Sequence, residues 1–216
     1  MRPRFGDWRG VTQIEQLAAL LIGLVMVLVL YGYFRAELYN LLSLESKTTT
    51  LEDARGAMDI MLRDLKNAGS WGSGSVPAET GAADDPDNDA DTVCNRVYAA
   101  TASVLHVQMD LNGNGNCADT EPRESVRYEL TGPTSSCPGT YILRRNGDCL
   151  VANVVLPVAG KLFYYFDAAG ADLGNAPAPD AIKRVRITFA VQVKNPDPRL
   201  KGNLASTLSS SVQLRN

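Results

Sequence analysis

Glu15 is a carboxylate at the threshold of an apolar run, and a charge in that position needs another charge to meet it. It stands five positions after Gly10 and just ahead of Leu17 to Phe34, a stretch without Asp, Glu, Lys or Arg. A carboxylate at the centre of a membrane helix costs about 2.5–3.5 kcal/mol on insertion scales, and less near the interface. A second group runs Asp110-Leu-Asn112-Gly-Asn114-Gly115-Asn116-Cys-Ala-Asp-Thr-Glu121, with oxygen-bearing side chains at alternate positions, a glycine for a sharp turn and an acid at the end. This is the D-x-[DN]-x-[DN]-G-x5-E spacing that holds calcium, a hard cation that takes oxygen ligands. The same Asn and Gly residues equally suit a polar hairpin loop, and both readings stand at this point. The acidic run Asp84 to Asp91 is a weaker cation candidate and otherwise a solvated loop. The third group is Cys94, Cys117, Cys137 and Cys149, none of them in a C-x-x-C pair. That pattern favours disulfides in an oxidising compartment over zinc or redox chemistry. Three pairings are open; the sequential one, Cys94 with Cys117 and Cys137 with Cys149, is preferred.

No constellation for catalysis accompanies these groups, and an enzyme is not expected. His106 is the one histidine and lies in an alternating segment, Ser103 to Met109, where it reads as a surface or satisfied core residue. The sequence has no G-x-S-x-G, no glycine-rich phosphate loop and no paired-histidine metal motif. Phe163-Tyr164-Tyr165-Phe166 reads as core and cross-strand packing. A net charge of -3 and a pI near 5.2 give no basic footprint for nucleic acid, and direct nucleic-acid binding is not expected.

The elements that must position these residues follow from periodicity. Leu17 to Phe34 approaches the ~20 apolar residues that cross hydrocarbon as a helix. Arg2, Arg4 and Arg9 precede it, so the positive-inside rule keeps the N-terminus in the cytoplasm and sends the rest across the membrane. A cleaved secretory signal is the rival, but no A-x-A site follows the run. Leu51, Ala54, Met58, Met61, Leu62 and Leu65 then recur at helical steps, with Glu52, Asp53, Arg55, Asp59, Arg63, Asp64 and Lys66 on other faces. No proline interrupts Val11 to Ala68, and Gly69 suits a left-handed cap, so one helix on the order of 85 Å is expected. Ser43 to Thr50 is its weakest part.

Beyond Gly69 the chain becomes rich in Gly, Ser, Asp and Pro to Thr92, and then breaks into short strands. These are expected at Val97 to Ala99, Ser103 to Met109, Ser125 to Leu130, Tyr141 to Arg145, Cys149 to Leu156, Lys161 to Phe166 and Ile182 to Val193, with Leu204 to Leu214 closing the sheet. Asn146-Gly147 signals a hairpin. The expected fold class is α+β, a long N-terminal helix packed by its C-terminal half on an antiparallel β-sheet head. The chain divides into a basic leader at 1–10, a transmembrane half-helix at 11–34, an amphipathic half at 35–68, an acidic loop at 69–92 and a β head at 93–216.

Gly10-Val-Thr-Gln-Ile-Glu15 followed by Gln16-Leu-Ala-Ala-Leu resembles the class III signal of type IV pilins and type II secretion pseudopilins. Valine stands where that family usually has phenylalanine, and Gln13 where leucine is usual. Ala54 to Gly69, Asp110 to Gly115, Phe163 to Asp167 and Val212 to Asn216 are similar to segments of PilW-type minor pilins and GspJ-type minor pseudopilins. The resemblance implies cleavage between Gly10 and Val11 by a prepilin peptidase and N-methylation of Val11. It further implies an inner-membrane precursor with a periplasmic head, recruited by an assembly platform into a filament of other pilins or pseudopilins. Glu15 would then meet the α-amino group of a neighbour's Val11. The alternatives are a secretion pseudopilus in place of a pilus, or a membrane-tethered periplasmic binding module or enzyme.

Overall fold

The computed structural model describes residues 12–72, 94–117, 124–156, 160–195, 197 and 202–215. A single helix, α1, runs Gln13–Asn67 over 55 residues, about 83 Å at 1.5 Å per residue. The stretch expected to be weakest is helical. Thr49 and Thr50 turn their hydroxyls back onto the carbonyls of Glu45 and Ser46, at 3.1 and 2.9 Å, so their polar groups are bonded within the helix. The helix ends as its sequence suggests: Ala68 N–H donates to Asp64 O, and Gly69 takes a φ of 73°. A side chain at Gly69 would also meet Arg96 at 2.9 Å, which makes glycine a steric requirement as well.

The head holds two antiparallel sheets where one was expected. The first is a meander of β1 (Val97–Ala100), β2 (Val104–Gln108), β3 (Ser125–Thr131), β4 (Ile142–Arg145) and β5 (Asp148–Val151), paired in chain order. The second comprises β6 (Val154–Val155), β7 (Phe163–Phe166), β8 (Arg184–Lys194) and β9 (Asn203–Gln213). Here β8 is central, with β6 and β7 along one side and all eleven residues of β9 along the other. The division falls inside the segment expected as one strand, Cys149 to Leu156. Asn153 adopts a left-handed φ of 55°, which asparagine tolerates better than most residues, and the chain leaves one sheet for the other. Asn146 and Gly147, both at positive φ, close the β4–β5 hairpin as expected.

Both sheets and the end of α1 share one core. Ala54, Ala57, Met58, Met61 and Leu65 form the buried face of the helix; alanines at two of these positions let it approach the strands. They belong to one cluster with Leu105, Val107, Val126 and Leu143 of the first sheet and Phe163, Ile187 and Phe189 of the second. Tyr165 ties the sheets together: its hydroxyl donates to Thr101 O at 2.7 Å, at the turn between β1 and β2. Burial pushes this phenol well above its ordinary range, so it stays a donor.

Past α1 the chain runs beside the end of β2. Gly69 N–H donates to Gln108 O, Asp110 N–H to Ser70 O and Gly72 N–H to Asp110 O. The backbones come so close that a Cβ at Gly72 would lie 2.5 Å from Gly113 Cα. This contact seats the Asp110 loop against the helix end.

Candidate functional site

The start of α1 is built around Thr12 and Glu15. Thr12 is extended, with ψ at 149°, and precedes the first helical residue, Gln13. Glu15 reaches back one turn, and its Oε2 accepts the Thr12 N–H at 2.9 Å. This satisfies one of the donors a helix start leaves unpaired, and sets a negative charge where the helix dipole favours one. The T-x-x-E spacing that produces this cap is readable in the sequence, and Thr12 is the residue missed by considering Glu15 alone. Gly10 and Val11, the residues implied in processing, lie outside the described residues, as does the basic leader.

Beyond this cap the first half of the helix is uncovered by the described residues. Every residue from Thr12 to Leu38 is exposed, on all sides of the cylinder. Leu20 is 71% accessible, Leu24 62% and Val29 67%, and the helix is apolar and long enough to cross a membrane. Gly23 and Gly32 have open space around them within the chain, so no intrachain packing requires a missing side chain at either. Tyr31, Tyr33, Phe34 and Tyr39 cluster at the end of the apolar run, with Arg35 donating to the Tyr39 hydroxyl at 3.4 Å. Aromatics with an adjoining cation at one end of an apolar helix suit the membrane–water interface. That band, too, was legible in the sequence by residue type.

The second half of α1 is fastened by a partly buried polar contact. Asp64 was expected with the solvent-facing charges, but it turns into the head, where its carboxylate accepts from the Tyr128 hydroxyl and from Arg145 Nε at 2.9 Å. The β3–β4 register sets Tyr128 and Arg145 directly opposite each other, so two strands present their donors to one helical acid. Burial pulls the Arg145 guanidinium down, but its bonds to Asp64 and Tyr128 outweigh that and leave it above its ordinary value. Asp64 lies at the edge of the apolar face, one position before Leu65, and the helical period alone cannot say which way it turns.

The Asp110 loop is a run of side-chain-to-backbone turns. Asp110 is fully buried and accepts the N–H groups of Gly113 at 2.6 Å and Gly115 at 3.2 Å. Asn112 accepts from Asn114 and Asn114 from Asn116, each at 2.8 Å. The Glu124 carboxylate takes the N–H groups of Leu111 and Asn112. The acid at the end of the cation pattern, Glu121, lies outside the described residues, as does Asp84 to Asp91. Among the described residues no three His, Cys, Asp or Glu side chains gather to hold a metal ion. The loop is clasped by the disulfide Cys94–Cys117, and Cys137–Cys149 forms the second, which is the preferred pairing. Bridges closing 23 and 12 residues are each worth about 3 kcal/mol in the chain-entropy picture.

His106 is a core residue. Its Nε2 lies 2.7 Å from Ser125 Oγ, and its ring packs edge-on to Tyr98 with centroids 4.4 Å apart. Burial, reinforced by the nearby Arg127 charge, pushes its pKa down to about 4, which keeps it neutral at physiological pH. Phe163 and Tyr165 are buried as expected, whereas Tyr164 is half-buried and faces the other way. No family model, curated protein or solved structure matches the chain, so what it does has to be read from these residues.

Proposed function

We infer that the chain is a minor pilin, a subunit inserted as a precursor in the bacterial inner membrane, cleaved after Gly10, and assembled into a type IV pilus through its N-terminal helix. The observation that carries this is the contrast within α1: one end is locked into a folded head, while the other is apolar on every side and begins with a capped carboxylate. Such a half-helix has two environments available to it, lipid before assembly and the matching helices of neighbours afterwards. Glu15 suits the second. One of its oxygens is engaged by its own Thr12, and a carboxylate has lone pairs to spare for a second donor. The donor is the amine that cleavage creates at Val11 of an adjacent subunit, and each charge offsets the cost of the other in an apolar bundle. Small residues help helices approach within a membrane, and Gly23 and Gly32 are two with open space around them.

The same helix would serve a minor pseudopilin of a type II secretion system, and the gene neighbourhood separates the two filaments. A tethered binding module or enzyme would leave Glu15 without a task. The deciding measurement is the mass of the membrane-extracted protein. Loss of Met1 to Gly10 with one methyl group added is expected, and retention of the leader would sink the proposal. Glu15→Ala is expected to be processed normally and to enter filaments at a small fraction of the wild-type level; undiminished incorporation would rule out the charge pairing.

A further inference from the structure

The face of the second sheet that looks away from the core carries a row of cations laid over rings. Along β8, Val185, Ile187 and Phe189 point into the core, while Arg184 and Arg186 point out. The register sets Arg186 opposite Tyr164 and Arg184 opposite Phe166. The Arg186 guanidinium carbon lies 4.7 Å from the Tyr164 centroid and 5.0 Å from that of Phe166, and Arg184 lies 4.7 Å from Phe166. Lys161 approaches the Tyr164 ring at 5.7 Å. At the end of the row a hollow of about 430 Å³ is lined by Lys183, Arg184, Gln213 and the turn from Asp167 to Gly170. The ion pairs among the described residues, Arg127 with Glu129 and Arg145 with Asp64, lie elsewhere. Positive charge has thus been gathered on one face of a chain whose net charge is -3.

Stacking fixes what these cations can recognise. A guanidinium lying on a ring spends its flat face on the aromatic and keeps the N–H donors at its rim for an anion, ready-oriented. Arg184 and Arg186 are two residues apart on one strand, about 6.8 Å, which is also the spacing of side chains at every second residue of an extended peptide. The covered faces of Tyr164 and Phe166 are closed to nucleic-acid bases, which bind single-strand platforms by stacking on open rings. The complementary pattern occurs in this same sequence, where Asp85, Asp87, Asp89 and Asp91 bear a carboxylate at every second residue.

The geometry points to this face as a docking surface for an extended acidic polypeptide segment of a neighbouring subunit, with alternate carboxylates set against Arg184 and Arg186. It rests on the filament reading for the neighbouring subunit, but a peptide titration needs neither cleavage nor Glu15, so either can fail without the other.

The test is fluorescence anisotropy with the full chain in detergent and a labelled peptide of the sequence Asp84 to Asp91. Controls are a peptide of the same composition with its aspartates contiguous, and a short single-stranded oligonucleotide. Binding that prefers the alternating peptide and weakens as salt rises is expected. The Arg184→Gln, Arg186→Gln double variant should bind about tenfold more weakly, within the range for two exposed pairs. Arg55→Gln with Arg63→Gln, which removes the same charge from α1, should stay within about twofold of wild type. Equal binding of the contiguous peptide, equal loss in the α1 variant, tighter binding of the oligonucleotide, or no peptide binding at all would each overturn the proposal.

Discussion

The two halves of α1 share one backbone and differ in what touches them. From Ala54 to Leu65 one face of the helix, Ala54, Ala57, Met58, Met61 and Leu65, is buried in the core that two sheets share, and an acid, Asp64, is bound by groups from two strands. From Thr12 to Leu38 the apolar residues are all exposed, and an acid, Glu15, is bound by its own helix start. Hydrophobicity is therefore no guide to which half stabilises the fold. A buried leucine contributes roughly 1.5–3 kcal/mol by leaving water, whereas an exposed one contributes nothing until lipid or another subunit covers it. The first half leaves its apolar surface uncovered.

Substitutions can break or sharpen that contrast. The largest effect on the head should come from Leu65→Ala, which empties a fully buried site and should lower unfolding stability by about 3–4 kcal/mol. Leu24→Ala, the same change in the exposed half, should stay within about 0.5 kcal/mol. Urea unfolding of both in detergent, followed by aromatic circular dichroism, tests the pair, and similar losses would dissolve the distinction. Next comes Asp64→Ala, which strands Arg145 and Tyr128 in a partly buried contact and should cost about 2–3 kcal/mol. If Glu15→Ala cost the head as much, the two acids would not differ as described.

A last effect, of a size with that of Asp64, depends on pH. Because His106 is held near 4 in the folded head, against an ordinary value of 6.5, only the unfolded chain takes up its proton between those values. Unfolding is then favoured as pH falls from about 6.5 to about 4, and the loss approaches 2–3 kcal/mol. His106→Gln keeps a polar group near Ser125 and does not titrate. The variant should lose about 2 kcal/mol less than wild type between pH 7 and pH 4.5; an unchanged pH dependence would place the sensitivity elsewhere.

Most elements of this molecule are legible in its sequence, because local chemistry specifies them. The helix follows from its period and its glycine stop, the β4–β5 hairpin from Asn146-Gly147, and most strands from alternation bounded by turn residues. What escaped depends on contacts between distant segments. The split of the head into two sheets turns on one backbone angle at Asn153, and nothing in Val151-Ala-Asn-Val154 distinguishes a kink from a sheet change. The row on β8 exists because β7 pairs with it in one register, and a shift by one residue would have opposed Arg186 to Phe163 or Tyr165. Of the proposed assembly site, Glu15 was evident from its isolation, while its bond to Thr12 follows from a capping rule.

The length of α1 also sets the mechanics of the molecule. The head grips the helix from Ala54 to Leu65, about 16 Å of axis, whereas Glu15 lies about 58 Å beyond that grip. A sideways push at the far end acts through a lever more than three times longer than its fulcrum, and would pry Met61 and Leu65 from their sockets. A pull along the axis has no such leverage and loads the Asp64 clamp in shear. The isolated chain is thus fragile to bending and resistant to tension, and any flanking helices that brace the rod would leave tension as the main load the head must bear.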